Sequence, residues 1–179
     1  MNRMSLIPVL VVALATGLFA GCAGERDRSP GLPLWLGGGS YFEAQIEGTL
    51  PDSLMGTAEY RLDADGNLVG VELNRDEVHG DGMSLELEPQ PLDARTYSVI
   101  EPGLFDVART EGESAATAFF VDSTQQFTAV RGTVEVTEVG WMGVHGQFDL
   151  EMEGTMDEEV PEPVGIHVRG SFQATEEQP

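Results

Sequence analysis

The stretch Val130-Arg131-Gly132-Thr133-Val134-Glu135-Val136 alternates apolar and polar side chains along its whole length. It is echoed by Val144-His145-Gly146-Gln147-Phe148-Asp149-Leu150 and by Val168-Arg169-Gly170-Ser171-Phe172-Gln173-Ala174. Alternation with a period of two is typical of a β-strand that buries one face. Each copy also places a glycine on the apolar face, where glycine marks a bend, a bulge or a close approach of two backbones. The repeat therefore predicts three strands of one curved sheet.

A register for these strands follows from the loop between the first two copies. If residues 138–140 form a three-residue hairpin loop with Gly140 in the left-handed conformation, Gly132 lies opposite Gly146. The same alignment sets Gly146 opposite Gly170 and leaves residues 154–162 as the connection. We expect three adjacent strands whose glycines form one inward row.

Outward from the repeat, the same alternation predicts strands throughout the rest of the domain. They fall at about residues 41–47, 57–62, 68–73, 83–87, 96–100, 117–121, 127–136, 142–152 and 164–174, with Gly, Pro, Asp and Asn between them. No helical periodicity of useful length appears in this region. The expected fold class is all-β, an antiparallel β-sandwich or open barrel of about nine strands.

The first 22 residues have a different character. Arg3 precedes an apolar run over residues 6–19, which has the length of a secretory signal core and is too short to span a bilayer. The run continues as Leu18-Phe19-Ala20-Gly21-Cys22, which resembles the lipobox of a bacterial lipoprotein, and Cys22 is the only cysteine. The resemblance implies cleavage after Gly21, acylation of the Cys22 thiol with fatty acids such as palmitate, and attachment to a membrane by lipid. An ordinary cleaved signal peptide followed by a free thiol is the alternative.

These features divide the chain into four parts. We expect a signal peptide over residues 1–21, a lipid-anchored flexible tether over 22–39, a single β domain over 40–175 and a disordered tail over 176–179. Removing 21 of the 179 residues leaves 158, which suits one domain with its core. The tether contains Gly37-Gly38-Gly39 and would span roughly 25 Å. Its apolar residues 34–36 either dip into the membrane interface or cover an edge of the domain.

The charge of the chain excludes several function classes. The formal net charge is −22, and all nine basic residues are arginine. Without lysine, Schiff-base chemistry and P-loop phosphate binding are excluded. An acidic surface repels nucleic acid, so we expect no nucleic-acid partner. The spread of the acids along the chain favours a solvated surface over a dedicated cation-binding one.

Two motifs suggest a metal site on first inspection, and both lack the required pattern. Asp63, Asp65 and Asn67 alternate like calcium ligands, but Leu68 and Asn74 stand where an EF-hand loop needs glycine and glutamate. A hairpin turn with Gly66 at a positive φ explains these residues without a metal.

The three histidines are His79, His145 and His167, and their positions in the sequence do not have the spacing of zinc ligands. His167 is instead expected to pair with Asp149 across two strands on the outer face.

No catalytic motif is complete. Gly112-Glu113-Ser114-Ala115-Ala116 lacks the last glycine of an esterase nucleophile elbow, and no helix follows Ser114. Carboxylates are so numerous that suitably spaced pairs arise by chance. We therefore expect no enzyme activity, no catalytic residues, no cofactor and no metal.

Most aromatic residues fall on apolar faces and are expected in the core, namely Phe42, Tyr60, Phe119, Phe120, Phe148 and Phe172. Trp141 is the exception, because it lies beside a predicted hairpin loop and hints at a binding edge.

The three glycine-centred stretches also resemble the small β-rich domains carried by many bacterial lipoproteins, and no activity follows from that resemblance. The resulting expectation is a lipid-anchored envelope protein whose non-catalytic β domain binds an unidentified protein or small molecule. Ala23 follows Cys22 where aspartate is associated with inner-membrane retention, which favours the outer membrane. The alternatives are a barrel that carries an apolar ligand in space left by its inward glycines, and a carboxylate-based hydrolase.

Overall fold

The structure, a computed structural model, describes residues 39–49, 51–75, 81–105, 114–122, 125–155 and 163–177. These residues form nine strands, and a short helical turn at residues 102–105 follows the fifth strand. The strands are β1 (Tyr41–Gly48), β2 (Asp52–Leu62), β3 (Asn67–Asn74), β4 (Gly82–Pro91), β5 (Arg95–Val99), β6 (Ala115–Asp122), β7 (Gln125–Gly140), β8 (Gly143–Thr155) and β9 (Pro163–Glu176). The all-β prediction is confirmed, and each predicted strand overlaps an observed one.

A single sheet closes on itself to form a barrel. The strand order is β1-β2-β3-β4-β6-β5-β7-β8-β9, and β9 pairs with β1 over eight residues to complete the wall. Neighbouring strands are antiparallel, except for short parallel contacts between β5 and β6 and between β2 and β9. Of the two arrangements predicted from the sequence, the structure has the barrel, and its wall is closed.

The predicted register of the last three strands is wrong, although the strands are adjacent as expected. Residues 138–140 belong to β7, and the hairpin turn consists of Trp141 and Met142. Gly132 consequently lies opposite Leu150, four residues from the expected Gly146. Two register shifts in the β7–β8 pairing, between Ala129 and Arg131 and between Val136 and Glu138, lengthen β7 relative to β8.

The three glycines therefore do not form a row, and two of them lie opposite aromatic residues. Gly146 lies opposite Phe172, and Gly170 lies opposite Phe148. A Cβ atom on Gly146 would overlap the Phe172 ring, and one on Gly170 would lie 2.5 Å from Phe148 Cζ. Gly146 and Gly170 are thus each covered by a phenylalanine ring from the paired strand. The ring occupies the space that the missing side chain leaves on the inner face of the sheet.

The interior of the barrel is filled by apolar side chains from all nine strands. The largest of the fully buried ones are Tyr97, Phe42, Phe127, Leu54, Leu68, Leu73, Met83, Leu85, Leu150 and Met152. Phe120 and Phe127 stack with their ring centroids 5.9 Å apart. The predicted core aromatics are buried, apart from Phe119, which is half-buried on the outer wall.

The two ends of the barrel differ in what they carry. One end is named here the entry end, because residues 39–41 lead into β1 there. The same end carries the turns at residues 63–66 and 141–142, the link at residues 92–94, and residues 175–177. The other end, named the far end, carries the β1–β2 and β6–β7 connections. None of the helical residues that the structure describes forms a segment long and apolar enough to cross a membrane.

Candidate functional site

The predicted lipidation site, Cys22, lies outside the described residues. So do the predicted signal peptide, nearly all of the tether, the tail residues 178–179, and His79.

The turn between β2 and β3 is held together by Asp63. Its carboxylate accepts hydrogen bonds from the backbone N–H groups of Asp65 and Asn67, both at 2.9 Å, and from the Asn67 side-chain amide at 3.0 Å. The bonds from Asn67 are the main cause that lowers the pKa of Asp63 below its ordinary value. Gly66 has a φ of 82°, as predicted for a hairpin turn. Both carboxylate oxygens of Asp63 thus accept hydrogen bonds within the turn.

An open depression of about 430 Å³ lies on the outer wall toward the far end, lined by Glu47, Gly48, Val130, Glu151, Met152, Glu153, Gly165, Ile166 and His167. The His167 Nε2 atom lies 2.5 Å from Asp149 Oδ1. The predicted pairing of these two residues is thus confirmed as a contact, although His167 lies directly opposite Glu151 and reaches Asp149 diagonally.

Two further ion pairs flank the depression. Arg169 Nη2 lies 3.2 Å from Glu47 Oε2 across the β1–β9 pairing. Arg131 contacts Glu151 across the β7–β8 pairing. All four side chains are exposed, so solvent screens both pairs and each adds little to stability. These partners depend on the strand register, which the alternation of side chains does not determine.

The residues described around the depression provide charged groups but no assembled nucleophile or metal site. Its described lining residues include no serine, threonine or cysteine that the His167 imidazole could activate, so a nucleophilic pair is not assembled there. No group of three or more His, Cys, Asp or Glu residues among those described is arranged to hold a metal ion. Ser114, the serine of the incomplete elbow, directly precedes strand β6 and accepts a 3.4 Å hydrogen bond from Arg95.

The space that an interior ligand would need at the inward glycines is occupied. A Cβ on Gly132 would overlap the backbone oxygen of Asp149, and the positions beside Gly146 and Gly170 are taken by phenylalanine rings. These three glycines bring backbones and rings together and leave no room between them. They therefore lend no support to the apolar-carrier alternative.

The most exposed large apolar side chain among the described residues is Trp141, at 95 % exposure. It forms the β7–β8 turn together with Met142, which is 38 % exposed. The turn is followed by Gly143, whose φ is 124° and whose Cα lies so close to the Ala174 carbonyl that a Cβ would overlap it, so this position requires glycine. Trp141 was expected to be partly exposed beside a loop; it lies at the tip of the turn itself.

A scan against protein-family models and searches of curated proteins and of solved structures found no match to this chain.

Proposed function

We propose that this chain is a lipid-anchored cell-envelope protein that displays a non-catalytic β-barrel and binds a protein or small-molecule partner. The observation that carries the proposal is the run Leu18-Phe19-Ala20-Gly21-Cys22, which ends an apolar segment at the only cysteine of the chain. Acylation explains a lone cysteine in an exported protein, where a free thiol is otherwise exposed to oxidation.

The charge of the domain supports display at a surface in water. With a net charge of −22, the chain resists association with nucleic acid and with anionic surfaces. Apart from Glu88, which is buried, the described acids are at least partly exposed to solvent, and some pair with arginine, as Glu47 and Glu151 do. The exposed turn at Trp141 and the charged depression beside His167 are the two candidate contact surfaces.

The anchor is tested by expressing the full chain in a lipoprotein-processing bacterium with a labelled fatty acid. We expect label and acyl mass on the mature protein, and we expect both to disappear in Cys22→Ser, with mature-length protein moving to the soluble fraction. Ser29→Ala, in the same predicted tether, is the matched control and should keep the label. A free Cys22 thiol in the mass spectrum, or label that survives Cys22→Ser, would overturn the proposal.

The destination is tested separately by Ala23→Asp in a bacterium with two membranes. We expect the wild-type chain in the outer-membrane fraction of a density gradient and the variant in the inner-membrane fraction. Equal distributions of the two chains would contradict the outer-membrane assignment without affecting the anchor.

A further inference from the structure

The Trp141–Met142 turn is exposed and lies at the end of two long paired strands. Trp141 is almost fully exposed, and the strands beneath it are paired up to Gly140 and Gly143. Gly143 lies so close to the Ala174 carbonyl that a Cβ there would overlap it, so the base of the turn packs directly against β9. Beyond this base, the indole presents a large apolar area to solvent.

The turn projects from the entry end of the barrel. Val144, at the base of the turn, pairs with Ala174 of β9, and Gln173 pairs with Tyr41 at the start of β1. Strand β9 alone thus separates β8 from β1, which places the turn about 10 Å to the side of the point where the chain enters the barrel. Cys22 precedes Gly39 by only 17 residues. A lipid on Cys22 would bring the membrane to this end of the barrel.

We propose that Trp141 and Met142 insert into the interfacial layer of the membrane that holds the anchor, and so orient the barrel with its entry end toward the lipid. The proposal rests on the lipid-anchored function proposed above. Tryptophan favours this layer because its ring is apolar and its indole N–H still reaches water. A single short turn adds a weak contact, whose effect depends on the anchor keeping it close to the surface.

The negative charge around the turn determines which lipid headgroups the turn can approach. Glu138, Glu176 and Glu177 lie at the same end, and Asp63 and Asp65 lie in the neighbouring turn. These carboxylates are repelled by anionic headgroups. We therefore expect Trp141 to insert into a membrane whose headgroups are zwitterionic.

The experiment measures the fluorescence of Trp141 in the full-length purified protein reconstituted into phosphatidylcholine vesicles. Trp35→Phe removes the only other tryptophan. We expect the emission to shift to shorter wavelength on reconstitution and to be quenched by a nitroxide near the headgroup. Adding phosphatidylglycerol at low salt should reduce the quenching, and salt should restore it.

A matched control places the probe at the far end. Val121, which is 41 % exposed, pairs with Gln126 near the β6–β7 connection, about 45 Å along β7 from the Trp141 turn. In Trp35→Phe/Trp141→Phe/Val121→Trp the tryptophan should stay in water. We expect Trp141 to be quenched roughly twofold or more relative to this control, since interfacial tryptophan lies within reach of a headgroup quencher.

Failure of this inference can be separated from failure of the anchor. If mass spectrometry finds a free Cys22 thiol, the same protein is coupled through that thiol to a maleimide lipid and measured in the same way. Emission unchanged on attachment to the vesicle, or equal quenching of the Val121→Trp control, would overturn the membrane contact. Protection of Trp141 from oxidation in native envelopes, without quenching in pure lipid, would overturn it in favour of a protein partner.

Discussion

Gly146 and Gly170 show how a residue without a side chain can be essential to a barrel wall. Each lies beneath a phenylalanine ring that comes from the strand opposite. At Gly146 a Cβ would also approach the Glu135 carbonyl oxygen to 2.5 Å, so the backbone itself leaves no space. Glycine inside a strand is costly on its own, and here the packed ring compensates for it.

The first prediction compares two alanine substitutions. Gly146→Ala should destabilise the domain by about 1–3 kcal/mol, because a methyl group is forced against the Phe172 ring and a carbonyl. Gly165→Ala, in the same pair of strands, should be neutral or slightly stabilising, because nothing lies within 4 Å of the added carbon. Urea denaturation of both variants measures the difference. Similar stabilities would show that the ring moves aside freely.

The second prediction concerns Tyr97, which is fully buried and whose hydroxyl has no hydrogen-bond partner among the described residues. Burial raises the pKa of Tyr97 above its ordinary value of 10.0. The folded state therefore holds this proton more tightly, and the stability it contributes is complete below pH 10 and is lost as pH rises through the folded pKa.

For Tyr97→Phe we expect stability at neutral pH to stay level or rise by up to about 1 kcal/mol, since an unmade hydrogen bond is removed. The loss of stability above pH 10 should become smaller. It should not vanish, because the pKa of Tyr60 is also raised and that of Tyr41 is raised to about 12. Thermal melts between neutral pH and the alkaline range measure both effects. A variant that melts well below the wild type at neutral pH would mean that the hydroxyl is satisfied.

At the scale of strands, alternation of side chains predicted where the strands lie but not how they are offset. The β7–β8 register was wrong by four residues at Gly132, and the β8–β9 register was wrong by two. Both errors are even numbers, so most residues kept their predicted face, except Val130, which lies at a register shift and lines the outer depression. This is why the core and the His167–Asp149 contact were predicted correctly from a wrong alignment.

The reasons for the error are local. The two register shifts in the β7–β8 pairing lie where the apolar alternation changes phase, after Ala129 and after Val136, and the predicted register did not include them. The tight turn at Trp141 and Met142 contains neither Gly nor Asn, and the glycine with a positive φ follows it at position 143. A residue as apolar as tryptophan is not an expected turn former, so its near-complete exposure could not be read from the sequence.

The third prediction concerns the unequal pairing of the strands. β8 is paired along its length on both sides, whereas β5 pairs over five residues with β7 and over two with β6. Amide hydrogens in β5 should exchange faster with deuterium than those in the centre of β8, because opening β5 breaks fewer hydrogen bonds. Exchange measured by mass spectrometry or NMR provides the comparison. Equal protection of the two strands would indicate that the barrel opens only as one unit.

The fourth prediction concerns the charge of the whole molecule. Self-repulsion from a net charge of −22 opposes the compact state and is screened by salt. The melting temperature should therefore rise with sodium chloride, and calcium chloride at matched ionic strength should have the same effect. Differential scanning calorimetry measures both. A much larger shift with millimolar calcium would show that the acids bind cations specifically.

The closure of the wall by β1 and β9 has a consequence for biogenesis. Among the described strands, the first to be synthesised has the last one as its partner, over eight residue pairs. A ribosome-bound chain that still lacks the fourteen residues of β9 therefore leaves the hydrophobic interior of the barrel open to water. The barrel can close only once β9 has been translated, so the nascent chain upstream of it stays unfolded until then.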